Sequence, residues 1–160
     1  MAFTGNFMST SFKVELLKGF HDFTNGNDVF CIALYTNSAS FTAATATAIF
    51  GAGNNEVATS GSYTSGGPPG ATSTNKLTNV TPSSTGAETI AFTDFTNKTF
   101  TGATITARGC LIYNSQANGG TNTANNVLVL DFTSDKTSTS GDFEIIFPTP
   151  NSSNAIIRIA

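Results

Sequence analysis

Apolar positions along the chain follow two different periods. Phe12, Leu16 and Phe20 recur four apart and Leu17 widens the stripe, so this first segment is predicted as the one helix. Ser9 or Ser11 offers an N-cap and Gly19 a C-terminal stop. A helix this short needs a surface to dock on. Asn25-Gly26-Asn27 then marks a turn. From residue 29 onward the pattern is that of strands. Residues 29–36 are β-branched and aromatic and apolar on both sides, as in a strand covered on both faces. Residues 89–95 alternate, with Ile90 and Phe92 set against polar neighbours. Residues 100–113 put Ala103, Ile105 and Ala107 on one side, and Gly109 marks a bulge or bend before Leu111. Residues 127–132 and 142–147 predict two further strands joined by a polar turn at 133–141. Pro148 and Pro150 end the second, and residues 156–159 form a short closing strand.

The stretches between are less regular. Residues 37–54 are small and weakly periodic, and 114–126 read as a Gly/Asn loop. Residues 55–75 are the most loop-like part, since Gly66-Gly67-Pro68-Pro69-Gly70 suits neither a helix nor an inner strand. Six or seven strands with turn signals between them predict an all-β fold: an antiparallel β-sandwich, jelly-roll or Ig-like, with one short N-terminal helix. Residues 11–160 form the single domain and residues 1–10 an N-terminal arm. Phe3, Phe7 and Met8 in that arm have no evident partner within the domain, which makes them candidate anchors to another protein.

Composition sharpens the fold and narrows the function. Thr, Ser, Asn and Gly make up nearly half of the 160 residues. These are mediocre to poor helix formers, which excludes a helical bundle. The 14 Phe residues suit the space between two packed sheets. Only 11% of residues are charged, against roughly 25% in an ordinary globular protein. Seven Lys and Arg in a chain of net charge −3 supply no basic patch for phosphates, so nucleic acid is not an expected partner. No stretch approaches the roughly 18 apolar residues of a membrane span. The start, MAFTGNFMSTSF, lacks the basic and apolar regions of a secretory signal, which predicts folding in the cytoplasm. Cys31 and Cys110 each lie inside an apolar run and read as buried thiols.

Candidate chemistry is sparse. His21 is the only histidine, and its neighbour Asp22 points away from it on a helix or turn, so a helix-end structural role is expected. Asp131, Asp135 and Asp142 bracket the 133–141 turn at spacings that fit no Ca²⁺ loop. One His and two distant Cys cannot close a zinc site without carboxylates. The glycines near Pro68 lack the Lys-Ser/Thr of a phosphate-binding loop. These residues predict neither a metal nor a cofactor, and no enzymatic activity. A Thr/Ser/Asn-rich β-domain also suits sugar binding, for which Tyr63 in the long loop is the candidate exposed contact.

Three stretches taken in order carry a resemblance. They are SFKVELLKGFHDF with DVFCIALYT (11–36), NEV…Y…GG (55–67), and ITARGCLIYN…VLVLDFTSDKTSTSGDFEIIFP…AIIRIA (105–160). Together they resemble a group of small virion structural proteins of tailed bacteriophages, and the ARG-x-LIYN strand and the LDF…GDF hairpin are the most specific parts. The GPPGATSTNK stretch adds to the group's loop. The resemblance implies a virion component without enzymatic activity. It is either a capsid decoration (cement) protein on the capsid surface, partnered by the major capsid protein and forming a dimer or trimer, or a tail or fibre module that binds a receptor or glycan. A low-charge hydroxyl and amide surface agrees with either, because it presents hydrogen bonds without the cost of desolvating charge.

Overall fold

A computed structural model describes residues 3, 5–44, 51–67, 73–84, 89–115 and 125–160. It shows an all-β chain with two antiparallel sheets and one short α-helix, as the periodicity predicts. Pro68, Pro69, Gly70 and most of the 114–126 loop lie outside the described residues.

The larger sheet is built on β2 (Phe30–Tyr35), β5 (Lys98–Asn114) and β6 (Asn125–Ile145), with β1 (Phe7–Met8) at one edge in the order β1-β6-β5-β2. The smaller sheet joins β3 (Asn79–Ser84), β4 (Ala91–Phe95) and β7 (Ile157–Ile159) in the order β3-β4-β7. The helix α1 (Thr10–Leu17) is capped by Ser9, whose Oγ accepts the Phe12 N–H at 3.2 Å. It ends where Gly19 takes φ +72°, a conformation glycine adopts at little cost.

The main core lies between the two sheets. Phe30, Ile32 and Leu34 of β2, Ile105 and Cys110 of β5, and Phe143 of β6 meet Phe95 of β4 and Ile157 of β7, with Phe12 of α1 against them. Aromatic rings span the gap: Phe23 stacks on Phe30 at 4.3 Å, Phe30 meets Phe95 at 5.6 Å, and Phe95 meets Phe147 at 5.7 Å. A smaller cluster covers the outer face of the large sheet, where Cys31, Ala33 and Tyr35 alternate with the inner residues of β2. Every residue of β2 is buried, as its two-sided apolar pattern predicts.

Three expectations need correction. Residues 127–132 and 142–147 are not two strands of a hairpin but parts of one strand, β6, paired along β5 throughout. The polar stretch between them holds bulges. Arg108 alone stands opposite residues 132–135, between the pairs Ala107↔Lys136 and Gly109↔Asp131, and Thr104 stands opposite 139 and 140. Thr133 and Ser140 take positive φ (65° and 48°), so the turn-like composition bends the strand without reversing it. Second, Leu17 does not widen the helix's packed face; it is 90% exposed. Third, β3 has no counterpart in the apolar pattern, because its sequence NVTPSS has little to bury. It is an edge strand that tolerates Pro82 where its register shifts.

Candidate functional site

The described N-terminal residues, 3 and 5–10, pack on the domain and do not form a free arm. Phe7 and Met8 pair with Val129 and Leu128 of β6, and the Ser9 N–H donates to the Val127 carbonyl at 3.0 Å. Asn6 Oδ1 accepts the Asp131 N–H at 2.7 Å. Phe3 is buried, edge-on to Phe41 at 5.5 Å, with its ring over the bare Cα of Gly109. Phe7 and Met8 are half-buried against the outer and inner clusters respectively. The expected unpartnered anchor is therefore corrected. A two-residue edge strand is too short for a period, so the sequence pattern hides it.

Tyr63 is corrected in the same way. It is fully buried, edge-on to Phe100 at 5.1 Å, and cannot serve as an exposed platform. Its hydroxyl donates to Glu56 Oε1 at 2.8 Å and accepts the Leu34 N–H at 2.9 Å. Burial, with the Glu56 carboxylate beside it, pushes the phenol well above its ordinary pKa. Glu56 Oε2 in turn accepts from Gly51 N at 2.5 Å, Gly66 N at 3.0 Å and Ser65 Oγ at 3.1 Å. The NEV…Y…GG motif is thus a clasp. It closes the outer edge of β2, whose N–H groups find Asn75 O (from Ile32, 3.1 Å), the Tyr63 hydroxyl (from Leu34) and Asn55 O (from Thr36, 2.9 Å). The long loop acts as the missing neighbour strand, which is why β2 is buried although it ends the sheet.

The remaining chemistry-bearing groups are also tied into the fold. His21 has a fully buried side chain. Asn114 Nδ2 lies 2.7 Å from Asp28 Oδ2, which can only accept, so the amide nitrogen faces it and also His21 Nδ1 at 3.2 Å. Nδ1 therefore accepts, and Nε2–H donates to Glu15 Oε2 at 2.9 Å. Both ring nitrogens are committed to holding the 21–28 loop against α1 and the end of β5. The partner is Glu15, six residues back, and not Asp22; the chain reversal at Gly19 brings them together, and no helical spacing signals it. Cys31 packs in the outer cluster and Cys110 in the inner one, so they lie on opposite faces of the sheet. Both are free, and burial pushes both thiols up. Asp131 accepts from Arg108 Nε at 2.9 Å, which holds its carboxyl below the ordinary range. Among the described residues no group of His, Cys, Asp and Glu is placed to hold a metal ion, and no helix is long and apolar enough to cross a membrane.

The described surface offers clefts in which apolar and polar side chains meet. Two adjoining clefts of about 420 and 410 Å³ share Phe132, Ile145 and Ile146. The first runs past Lys136, Asp142 and Glu144; the second reaches Asn6, Leu130 and Ile156. They mark the seam where the edge of β6 approaches the C-terminal segment, and Ile146 stands 73% exposed in it. A separate cleft of about 230 Å³ lies between α1 and the small sheet, lined by Leu16, Phe23, Phe92 and Ile157. The arm residue Asn6 borders the seam, whereas Tyr63 sits at the opposite edge of the large sheet. Sequence reasoning missed the seam, because Phe132 and Ile146 read as ordinary strand residues until the bulges of β6 bring them to one cleft. Comparison with protein-family models, curated proteins and solved structures finds no match for the chain.

Proposed function

We propose that this chain is a non-enzymatic structural protein that adds onto a tailed-phage particle, as a capsid decoration (cement) protein bound to the major capsid protein on the capsid surface. The observation that carries this reading is an exposed apolar residue in the seam of a low-charge chain: Ile146 stands 73% exposed beside Phe132. Burying it gains hydrophobic free energy, and a partner of opposite charge offsets the carboxylates that border it. The groups best suited to chemistry support it from the other side. His21, Glu56, Cys31 and Cys110 are buried, and His21 and Glu56 spend their polar atoms on holding loops. The motifs that carry the resemblance have structural places in the fold: NEV…Y…GG forms the β2 clasp and the ARGCLIYN stretch forms the C-terminal half of β5. Several weak contacts with neighbouring lattice subunits, or a symmetric dimer or trimer of this chain, would raise the avidity of each copy.

The test is the copy number per purified particle, by quantitative mass spectrometry against the major capsid protein. A ratio near one to one, or a simple lattice fraction, is expected. A handful of copies would assign the protein to a tail or fibre, and absence from the particle would remove the reading altogether.

A further inference from the structure

The two edges of the large sheet are finished differently. The β2 edge is closed by the Glu56–Tyr63 clasp. The β6 edge is covered by β1 only at Leu128 and Val129, and from residue 136 to residue 145 it has no strand neighbour on that side among the described residues. This open stretch of β6 borders the seam, so main-chain donors and acceptors lie beside pockets for apolar side chains. These are the two elements of recognition by strand addition.

Charge selects the occupant. Four of the chain's ten carboxylates, Asp131, Asp135, Asp142 and Glu144, lie along β6, with Lys136 the one cation among them. Arg108 engages Asp131, and no salt bridge engages the other three among the described residues. A second copy of the same edge would set acid against acid, and the bulges at 132–135 and 139–140 bend it away from flat self-pairing. An extended segment with apolar residues on one side and basic residues on the other meets both features.

We infer that the seam along β6 takes an extended basic strand of the partner protein, hydrogen-bonded along residues 136–145 with its apolar side chains against Phe132 and Ile145 and its basic side chains on the face of Asp142 and Glu144. The inference rests on the reading of the chain as an add-on protein and names the segment that it docks. The probe is a synthetic peptide of alternating Val and Lys, about ten residues long to match a long strand. Controls alternate Gly with Lys, and Val with Glu. Amide exchange and chemical shifts are read on the full chain. The Val/Lys peptide is expected to protect amides of 136–145, and Phe132→Ser to weaken it by about tenfold. Asp142→Lys with Glu144→Lys is expected to exchange the preference from Val/Lys to Val/Glu. Protection elsewhere or none, equal protection by Gly/Lys, or protection that rises with protein concentration without peptide would each overturn the inference. Peptide failure with a lattice-like copy number would leave the shell reading standing, and success without particle association would do the reverse.

Discussion

Adding one methyl group at Gly109 tests whether the N-terminal segment belongs to the fold. A Cβ built there meets the Leu130 carbonyl oxygen, and meets Phe3 Cε1 and Cζ at 2.5 and 2.8 Å. Real Cβ atoms essentially never approach within 3.0 Å, so either the ring or the neighbouring strand must move. Expelling the ring exposes a side chain that is now 7% accessible, at a cost of about 1.5–3 kcal/mol. Pushing β6 away adds overpacking strain of about 1–3 kcal/mol. Gly109→Ala is therefore expected to cost about 3 kcal/mol, read as a lower urea midpoint with an unchanged slope. Phe3→Ala alone should cost about 2 kcal/mol. In the Phe3→Ala background the methyl displaces only the Leu130 oxygen, so the double-mutant cycle should return a coupling of about 1–2 kcal/mol. Costs that simply add within about 0.5 kcal/mol would mean that Phe3 does not sit over Gly109. A Phe3→Ala variant as stable as the parent would return Phe3 to the role of a free anchor.

Three further outcomes follow from the same geometry. Tyr63→Phe removes the acceptor of the Leu34 N–H and a donor to Glu56, and is expected to cost about 1–3 kcal/mol in urea unfolding; no loss would mean that the hydroxyl does not close the β2 edge. Cys31 and Cys110 should resist a thiol reagent until the chain unfolds and should form no internal disulfide on mild oxidation; rapid labelling of the native protein would contradict their burial, and a crosslink their opposite faces. Arg108 lowers the Asp131 pKa in the fold, so the ionised carboxylate contributes stability above its unfolded value near 3.8 and loses it as pH falls through the lower folded value. Asp131→Asn should therefore be less stable than the parent at neutral pH and approach it in acid. A pH-independent difference would show that the carboxylate's charge is not what matters.

Much of the architecture is legible because burial leaves a period in the chain. Ala103, Ile105 and Ala107 alternate on β5 and are all buried, and Gly109 does stand at a register shift. β2 is unbroken because both its faces are covered. Illegible elements are those held by hydrogen bonds and not by area. β3 has little to bury, and β1 has two residues. The bulged part of β6 uses turn residues, so composition alone cannot tell a bend from a reversal. Tyr63 fails for a related reason. A tyrosine in a Gly/Ser loop looks exposed unless its partners are known, and Glu56 and the Leu34 amide become partners only after the loop has wrapped onto β2.

The unequal finishing of the sheet edges ties fold to function. An open strand edge invites aggregation, and natural sheets close it, shorten it or charge it. This chain devotes residues 51–67 and 73–77, with a buried carboxylate, to closing the β2 edge. Among the described residues it leaves the 136–145 stretch of the β6 edge without a strand neighbour beside an exposed isoleucine, yet gathers along β6 four of the few charges it has. Like charges along that edge keep copies of the chain apart in solution while a partner of opposite charge can still add to it. Under the proposed role as an add-on protein, the chain must stay dispersed until it meets a lattice, and that combination would serve it. If the acidic residues serve only solubility, Asp142→Lys with Glu144→Lys should change self-association and leave particle binding untouched. If they select the partner, the same variant should stay folded and dispersed and fail to load.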